Sequence, residues 1–154
     1  MPLSVRLDAD TERPSGRVAG VLVDAGPLVA LLDRSDQHHR ACVEASRSIR
    51  RPLVSVWPAI TEAMYLLAVS AEAQEALWDM LTTRTVVLAG LDLADVPRMR
   101  ELMRKYRDRP MDLADAALVR IAEREAIHAV FTVDRADFEV YRPSRSWRFS
   151  IIPG

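Results

Sequence analysis

Four acidic residues have the type and spacing needed for metal-assisted chemistry. Asp24 and Asp134 each follow a short apolar run that is typical of a buried strand, and Asp115 lies near the start of a helical pattern. In parallel α/β sheets, ligands bind beyond the carboxyl ends of the strands, because groups at those ends are delivered to one edge of the domain. We therefore expect these three carboxylates to lie close together.

The fourth acid, Glu62, needs a separate argument because it lies inside a helical pattern. The i, i+3, i+4, i+7 spacing of a helix places it on one stripe with Ala59, Ala63 and Leu66. This pattern predicts that the stripe faces inward. Glu62 would then meet the other three acids at the same edge of the sheet.

Carboxylates that converge in partly apolar surroundings repel one another and need a positive partner. Lys105 is the only lysine, so the candidate protein cations are arginines such as Arg109 and Arg135. Hard oxygen donors are also the normal ligands of Mg²⁺ and Mn²⁺. The set therefore predicts a metal site, and the chemistry that such a site supports is phosphodiester hydrolysis.

Each acid also has an ordinary structural explanation. Asp24 could be a turn residue, Asp112 or Asp115 a helix cap, Asp134 part of an Asx turn, and Glu62 a surface glutamate. Taken singly, these explanations compete with the metal site. The joint placement at two strand ends and two helix stripes favours the metal site.

The elements that must position the acids alternate between strand and helix. Apolar runs predict four strands and a possible fifth, at 18–23, 53–57, 85–89, 129–133 and 149–152. Helical patterns separate them, and the strongest covers Met111–Glu123. This order predicts an α/β fold of one domain, with a central, mostly parallel sheet of four to five strands flanked by helices.

The composition bounds the remaining possibilities. The chain has 154 residues, 49% of them hydrophobic, and a net charge of −1, so it can bury one core and has no global basic field for nucleic acid. Residues 1–18 show no helical or strand periodicity, and this pattern predicts a disordered leader. The single cysteine, Cys42, cannot form an internal disulfide, and no signal peptide or membrane-length apolar run is present, which predicts a cytoplasmic protein.

Four segments resemble the motifs of PIN-domain proteins of the toxin class. They are 21–39, 55–67 around Glu62, 111–119 and 131–138. The resemblance implies a PIN-like nuclease domain over 19–154. It further implies a metal-dependent endoribonuclease that uses Mg²⁺ or Mn²⁺ and acts on RNA. Such an enzyme is typically the toxin of a toxin–antitoxin pair, inhibited by a small antitoxin protein and often a homodimer.

Carried over by position, the resemblance makes Asp24 and Asp115 the principal metal ligands, completed by Glu62 and Asp134 directly or through water. Two second-tier residues are Asp112 and Thr132, whose hydroxyl could orient Asp134 or a metal-bound water. One departure is visible, since many relatives carry a hydroxyl one or two positions after the first aspartate. Here Ala25 and Gly26 offer none, although Gly26 would leave the backbone amides open.

The RNA contacts are less specific. The densest basic cluster lies just before Asp112, and the candidate RNA-binding residues are Arg104, Lys105, Arg107, Arg109 and Arg135. A solvated arginine-rich surface is the competing explanation. Trp57 follows a strand and precedes a helix, which favours a core position over a base-stacking one.

Two other functions compete with the nuclease. A phospho-receiver domain would also bind Mg²⁺ with clustered acids, but it needs a lysine near the end of a late strand, and none follows Lys105. A non-catalytic PIN-like module that binds RNA or a protein partner stays open, because the presence of the acids does not prove turnover.

Overall fold

A computed structural model describes residues 18–144 and 147–154. The predicted leader therefore lies outside the described residues except for Val18, and it stays a prediction. The strands are Val21–Val23 (β1), Leu53–Ser55 (β2), Val86–Leu88 (β3), Ala129–Phe131 (β4) and Ser150–Ile152 (β5). The helices are Ala25–Leu32 (α1), His39–Ser48 (α2), Trp57–Leu66 (α3), Ala71–Thr82 (α4), Val96–Lys105 (α5), Leu113–Glu125 (α6) and Arg135–Val140 (α7), with a 3₁₀ turn at Leu93–Asp95.

The five strands form one sheet in the order β3-β2-β1-β4-β5, and every neighbouring pair is parallel. The predicted α/β fold is therefore confirmed, including the fifth strand. β1 lies at the centre, with Leu22 paired to Val54 on one side and to Val130 on the other. The carboxyl ends of all five strands consequently share one edge.

Alternation along the strands divides the core between the two faces of the sheet. Leu22, Val54 and Val130 pack on the face covered by α5, α6 and α7. Val23 and Phe131 point the other way, into the layer formed by α1, α2, α3 and α4. The central strands β1 and β2 are thus buried on both faces, which is why these segments read as continuous apolar runs.

Three helices that carry or adjoin the acids begin close to a strand end. α1 starts two residues after β1, α3 starts two residues after β2, and α7 starts four residues after β4. The sequence predicted that β2 would extend to Trp57, but the strand ends at Ser55 and Trp57 opens α3. Pro58 explains the shift, because proline is favoured in the first turn of a helix and cannot continue a strand ladder.

Among the described residues, none of the helices is both long enough and apolar enough to cross a membrane.

Candidate metal centre

Asp24 joins the central strand to α1 and is 4% exposed. Its backbone amide donates to the carbonyl of Phe131 at 3.1 Å, which ties it to the end of β4. Its Oδ1 accepts from the amide of Ala25 at 2.8 Å, so the side chain also caps α1. The predicted turn role and the predicted strand-end position are therefore both present in one residue.

The end of β4 brings a hydroxyl to Asp24. Thr132 is buried, and its hydroxyl donates to Asp24 Oδ2 at 3.3 Å while it accepts from the amide of Asp134 at 3.0 Å. Thr132 thus links the two acids that end β1 and β4. The sequence singled out Thr132 as an orienting residue, and the structure gives it contacts with both Asp24 and the backbone of Asp134.

Gly26 allows this close approach. A Cβ placed on Gly26 would lie 2.4 Å from Cγ2 of Val133, inside the distance that real contacts allow. That Gly26 leaves backbone amides open stays a prediction, and the structure adds that the side chain of Val133 occupies the space that a Cβ would need. The glycine lets the segment after β4 pack against α1, which brings Thr132 and Asp134 to Asp24.

Asp115 lies in the first turn of α6 and is partly buried. Its Oδ2 accepts a hydrogen bond from the hydroxyl of Tyr141 at 2.9 Å. Asp112 is the N-cap of the same helix and is exposed, and its Oδ1 accepts from the amide of Asp115 at 2.8 Å. The cap role that the sequence left open for these two residues therefore belongs to Asp112.

Glu62 does not occupy the buried position that its stripe predicts. Ala59 and Ala63 are fully buried, but Glu62 is exposed and Leu66 is 49% exposed. The buried face of α3 is offset from the predicted stripe, because it includes Ile60 and the C-cap Leu67 beside the two alanines. Glu62 lies at the margin of the stripe, in a groove of about 680 Å³ that Asp112 also lines.

Five acids interact electrostatically at the carboxyl edge of the sheet, namely Asp24, Glu62, Asp112, Asp115 and Asp134. Burial, followed by the charges of Asp134, Glu62 and Asp112, raises the pKa of Asp24 to about 7, against the opposing hydrogen bond from Ala25. Burial and the charges of Asp24 and Asp112 raise the pKa of Asp115 to about 8. The side-chain charges that act most strongly on these two groups are carboxylates.

The outer acids show the same pattern. Partial burial and the charges of Asp112 and Asp134 raise the pKa of Glu62. Burial and the charges of Asp137 and Asp112 raise the pKa of Asp134, which His38 opposes. Asp112 therefore acts on all four of the acids that the sequence selected, although it was placed in the second tier.

This donor set fits a hard divalent cation by its chemistry. The interacting groups are carboxylates with a threonine hydroxyl, and their pKa values are raised first by burial and then by one another's charges. Within residues 18–144 and 147–154, however, no three acidic, histidine or cysteine side chains already have the geometry of a metal site. The acids interact through their charges, but they do not form a finished coordination shell.

The predicted RNA contacts divide into two groups. Arg104 and Arg107 are exposed and line a groove of about 760 Å³ beside α5. Three others already have partners: the ammonium of Lys105 lies 5.1 Å from the ring centre of Tyr106, Arg109 contacts Asp137 at 3.1 Å, and Arg135 contacts Glu139 at 3.0 Å.

Trp57 is 53% exposed, so the prediction that it belongs to the core is wrong. It lines the same groove as Glu62 and Asp112, together with Tyr65, which is 79% exposed. The strand-to-helix context of Trp57 was correct, but the first residue of α3 points away from the sheet while Val56 beside it is fully buried.

Sequence reasoning missed two residues of this region. Tyr141, the C-cap of α7, is 26 positions from the Asp115 that it contacts. Asp137 acts on both Asp115 and Asp134. A signal was present, because Asp134, Asp137 and Tyr141 follow the three- and four-residue spacing of one helix face.

Comparisons with known proteins identify the family of this chain. A family model described as the PIN domain matches residues 21–142. Ribonuclease VapC26 of Mycobacterium tuberculosis is 30% identical over 135 residues, which make up 86% of this chain and 100% of the relative.

Two solved structures share the fold. VapC20 of Mycobacterium tuberculosis, described as a sarcin-ricin loop cleaving toxin, has a TM-score of 0.68 at 16% identity and is matched over 77% of this chain and 94% of its own. A toxin–antitoxin complex from Klebsiella pneumoniae has a TM-score of 0.62 at 17% identity, over 81% of this chain and 98% of its own. At these identities the likeness establishes the fold alone.

The family match covers the strands β1 to β4 and every acid described above. Ribonucleases of this family generally depend on a divalent metal ion. The family model matches most of the chain, and a ribonuclease relative aligns with it over the relative's whole length. The chain therefore belongs to the PIN-domain family.

Proposed function

We propose that this chain is a divalent-metal-dependent endoribonuclease that acts as the toxin of a toxin–antitoxin pair. The observation that carries the proposal is the set of facing carboxylates at the carboxyl edge of the sheet, with raised pKa values on the two most buried acids. Membership of the PIN-domain family and the similarity to a ribonuclease support the same reaction.

Asp24 and Asp115 are the residues that we assign to the metal, with Glu62 and Asp134 completing the set directly or through water. When bound, a divalent cation neutralises the carboxylates, polarises a phosphodiester and supplies a nucleophilic water near neutral pH. The all-oxygen donor set favours Mg²⁺ or Mn²⁺ over softer metals, which prefer sulfur or imidazole.

The chain's own groups prepare the site for this reaction. Thr132 donates to Asp24 Oδ2, which leaves Oδ1 with the amide of Ala25 and restrains both oxygens of the carboxylate. Asp112 holds the first turn of α6 in place through the amide of Asp115. The role of Asp112 is therefore to position α6 and to add negative potential.

The RNA backbone would approach over the basic groove beside α5. Arg104 and Arg107 line this groove with Arg100, and Leu113 is shared between it and the groove that contains Glu62 and Asp112. Phosphate groups would thus contact arginines at one end and the acidic centre at the other. Lys105, Arg109 and Arg135 would contribute by adding positive potential, since each already has a protein partner.

The protein partners follow from the toxin role, and we propose a small antitoxin and a second copy of this chain. Large apolar side chains are exposed next to the acidic centre, which is typical of surfaces that a protein covers. Trp57, Tyr65 and Leu113 line the groove that contains Glu62 and Asp112, and Val96 and Met103 line the neighbouring groove beside α5.

The test is a cleavage assay with purified protein and structured or single-stranded RNA, in Mg²⁺, in Mn²⁺ and in EDTA. We expect cleavage with metal and none with EDTA. Asp24→Asn and Asp115→Asn should each lower the rate at least a hundredfold, and Asp79→Asn on the exposed face of α4 is the matched control. RNA survival that is equal for wild type and both site variants would instead favour a non-catalytic PIN-like binding module.

A further inference from the structure

We propose that Tyr141 is a positioning residue of the metal centre, because its hydroxyl fixes the orientation of the Asp115 carboxylate before a cation binds. This inference rests on the function proposed above for the site. It concerns a residue that lies far from the acids in sequence and that contacts one of them directly.

The contact engages one carboxylate oxygen and leaves the other for a ligand. The phenol donates to Asp115 Oδ2 at 2.9 Å. An ionised carboxylate accepts hydrogen bonds at both oxygens, so a bond to one oxygen selects the rotamer without blocking the other. Oδ1 of Asp115 is then presented in a direction that the phenol has fixed.

The ring of Tyr141 is rigid enough to impose that direction. Tyr141 is fully buried. Its ring meets Tyr106 edge-on with centroids 5.0 Å apart, and it meets Phe138 in the same way at 5.3 Å. A phenol held by two perpendicular rings cannot follow a carboxylate that rotates away, so the carboxylate must conform to the phenol.

The helix α7 gives this contact a second consequence. Asp134 is the N-cap of α7 and Tyr141 is its C-cap, and the amide of Tyr141 donates to the carbonyl of Asp137 at 3.0 Å. One short helix therefore carries an acid of the site at its start and the partner of another acid at its end. The spacing between Asp134 and Asp115 is set through α7.

A residue that hydrogen-bonds to a metal-coordinating side chain usually raises metal affinity. It does so because the coordinating side chain is already ordered and loses less conformational entropy when the metal binds. Removal of such a partner typically weakens metal binding about 10- to 100-fold. The Tyr141 contact lies in the apolar core and should fall near the lower end of that range, since Asp115 keeps its place at the start of α6.

The experiment compares Tyr141→Phe with Tyr106→Phe. Both variants lose one phenol hydroxyl from the same aromatic cluster, but the hydroxyl of Tyr106 accepts from the backbone amide of Arg142 and contacts no acid. Binding of Mn²⁺ is measured by titration calorimetry, and thermal unfolding is recorded without metal. We expect Tyr141→Phe to bind Mn²⁺ about tenfold more weakly. Tyr106→Phe should bind as the wild type does.

Three results would overturn the proposal. They are wild-type Mn²⁺ affinity in Tyr141→Phe, tighter binding in that variant, or equal weakening in both tyrosine variants, which would mean a general loss of packing. Asp115→Asn separates this inference from the proposed function. Wild-type binding in Asp115→Asn would refute the metal centre itself, whereas weak binding in Asp115→Asn with no further loss in Asp115→Asn/Tyr141→Phe supports the role of Tyr141.

Discussion

Two buried aspartates at different places in this fold have opposite electrostatic surroundings. Asp95, at the 3₁₀ turn before α5, is 1% exposed, and its oxygens accept from Arg120 and Arg124 at 2.8 Å each. Asp24 is 4% exposed, and its strongest side-chain neighbours are carboxylates. The pKa of Asp95 is lowered despite its burial, while the pKa of Asp24 is raised to about 7.

The comparison separates a structural acid from one that we propose to be functional. Around Asp95 the chain supplies its own cations, and the backbone amide of Asp92 donates to Asp95 Oδ2 at 3.0 Å, so the charge is satisfied within the fold. Around Asp24 the chain supplies further acids, whose charges add to the effect of burial on its pKa. The type of partner, and not the degree of burial, distinguishes the two sites.

The largest expected effect on stability comes from the structural acid. Asp95→Asn removes the charge that Arg120 and Arg124 share, and both guanidinium groups are less than a quarter exposed. We expect a loss of about 3 kcal/mol in the free energy of unfolding. In metal-free protein at pH 8, Asp24→Asn should lower the free energy of unfolding far less, because it removes repulsion from the other acids. Urea denaturation measures both, and equal losses would contradict the comparison.

A smaller effect is expected where packing brings the acids together. Gly26→Ala places a methyl group against Val133 and should cost roughly 1–3 kcal/mol through overpacking, offset in part by the better helix propensity of alanine. Displacement of Val133 by this methyl group should also move Thr132 and Asp134 away from Asp24, so Mn²⁺ affinity should fall. Gly90→Ala is the matched control, since a Cβ there meets nothing within 4 Å. Unchanged stability and Mn²⁺ affinity in Gly26→Ala would show that the approach of Val133 is not needed.

A third expected effect is the dependence of stability on pH. Asp24 and Asp115 have folded pKa values of about 7 and 8, above the ordinary value of 3.8. The folded state therefore binds more protons than the unfolded state between about pH 4 and 8, and stability falls as pH rises through that range. Asp95 has a lowered pKa and acts in the opposite sense, losing its contribution only as pH falls toward its folded value.

Thermal unfolding at pH 5.5 and pH 8 measures this dependence. Metal-free protein should melt at a lower temperature at pH 8, and Mn²⁺ should raise the melting temperature more at pH 8 than at pH 5.5. Asp24→Asn/Asp115→Asn removes both groups and should flatten the metal-free profile. A steep decline toward pH 8 that persists in this double variant would place the effect elsewhere.

The sequence predicted the fold well because the central strands are buried on both faces and helices separate one strand from the next. The positions of Asp24 and Asp134 followed from the rule that parallel strands end at one edge, which depends only on order along the chain. Asp115 followed from helix periodicity, and the residues that share its stripe, Leu118 and Val119, are fully buried.

The rest depends on contacts that leave little trace in a sequence. Glu62 was placed too deep, because the stripe inferred from periodicity is offset from the face that packs on the neighbouring layer, which includes Ile60. The contact of Gly26 with Val133 was not predicted, because Val133 is remote in sequence. The arginine partners of Asp95 lie 25 and 29 positions away, so the sequence around Asp95 did not indicate a buried ion pair.

The most direct test of the central claim is a crystal structure with Mn²⁺, in which anomalous scattering locates the ion independently of the atomic model. The account predicts a peak within coordination distance of carboxylate oxygens of both Asp24 and Asp115, and no peak at Asp95, where arginines already satisfy the charge. A peak that avoids Asp24 and Asp115, or no peak at this edge under conditions in which the protein cleaves RNA, would contradict it.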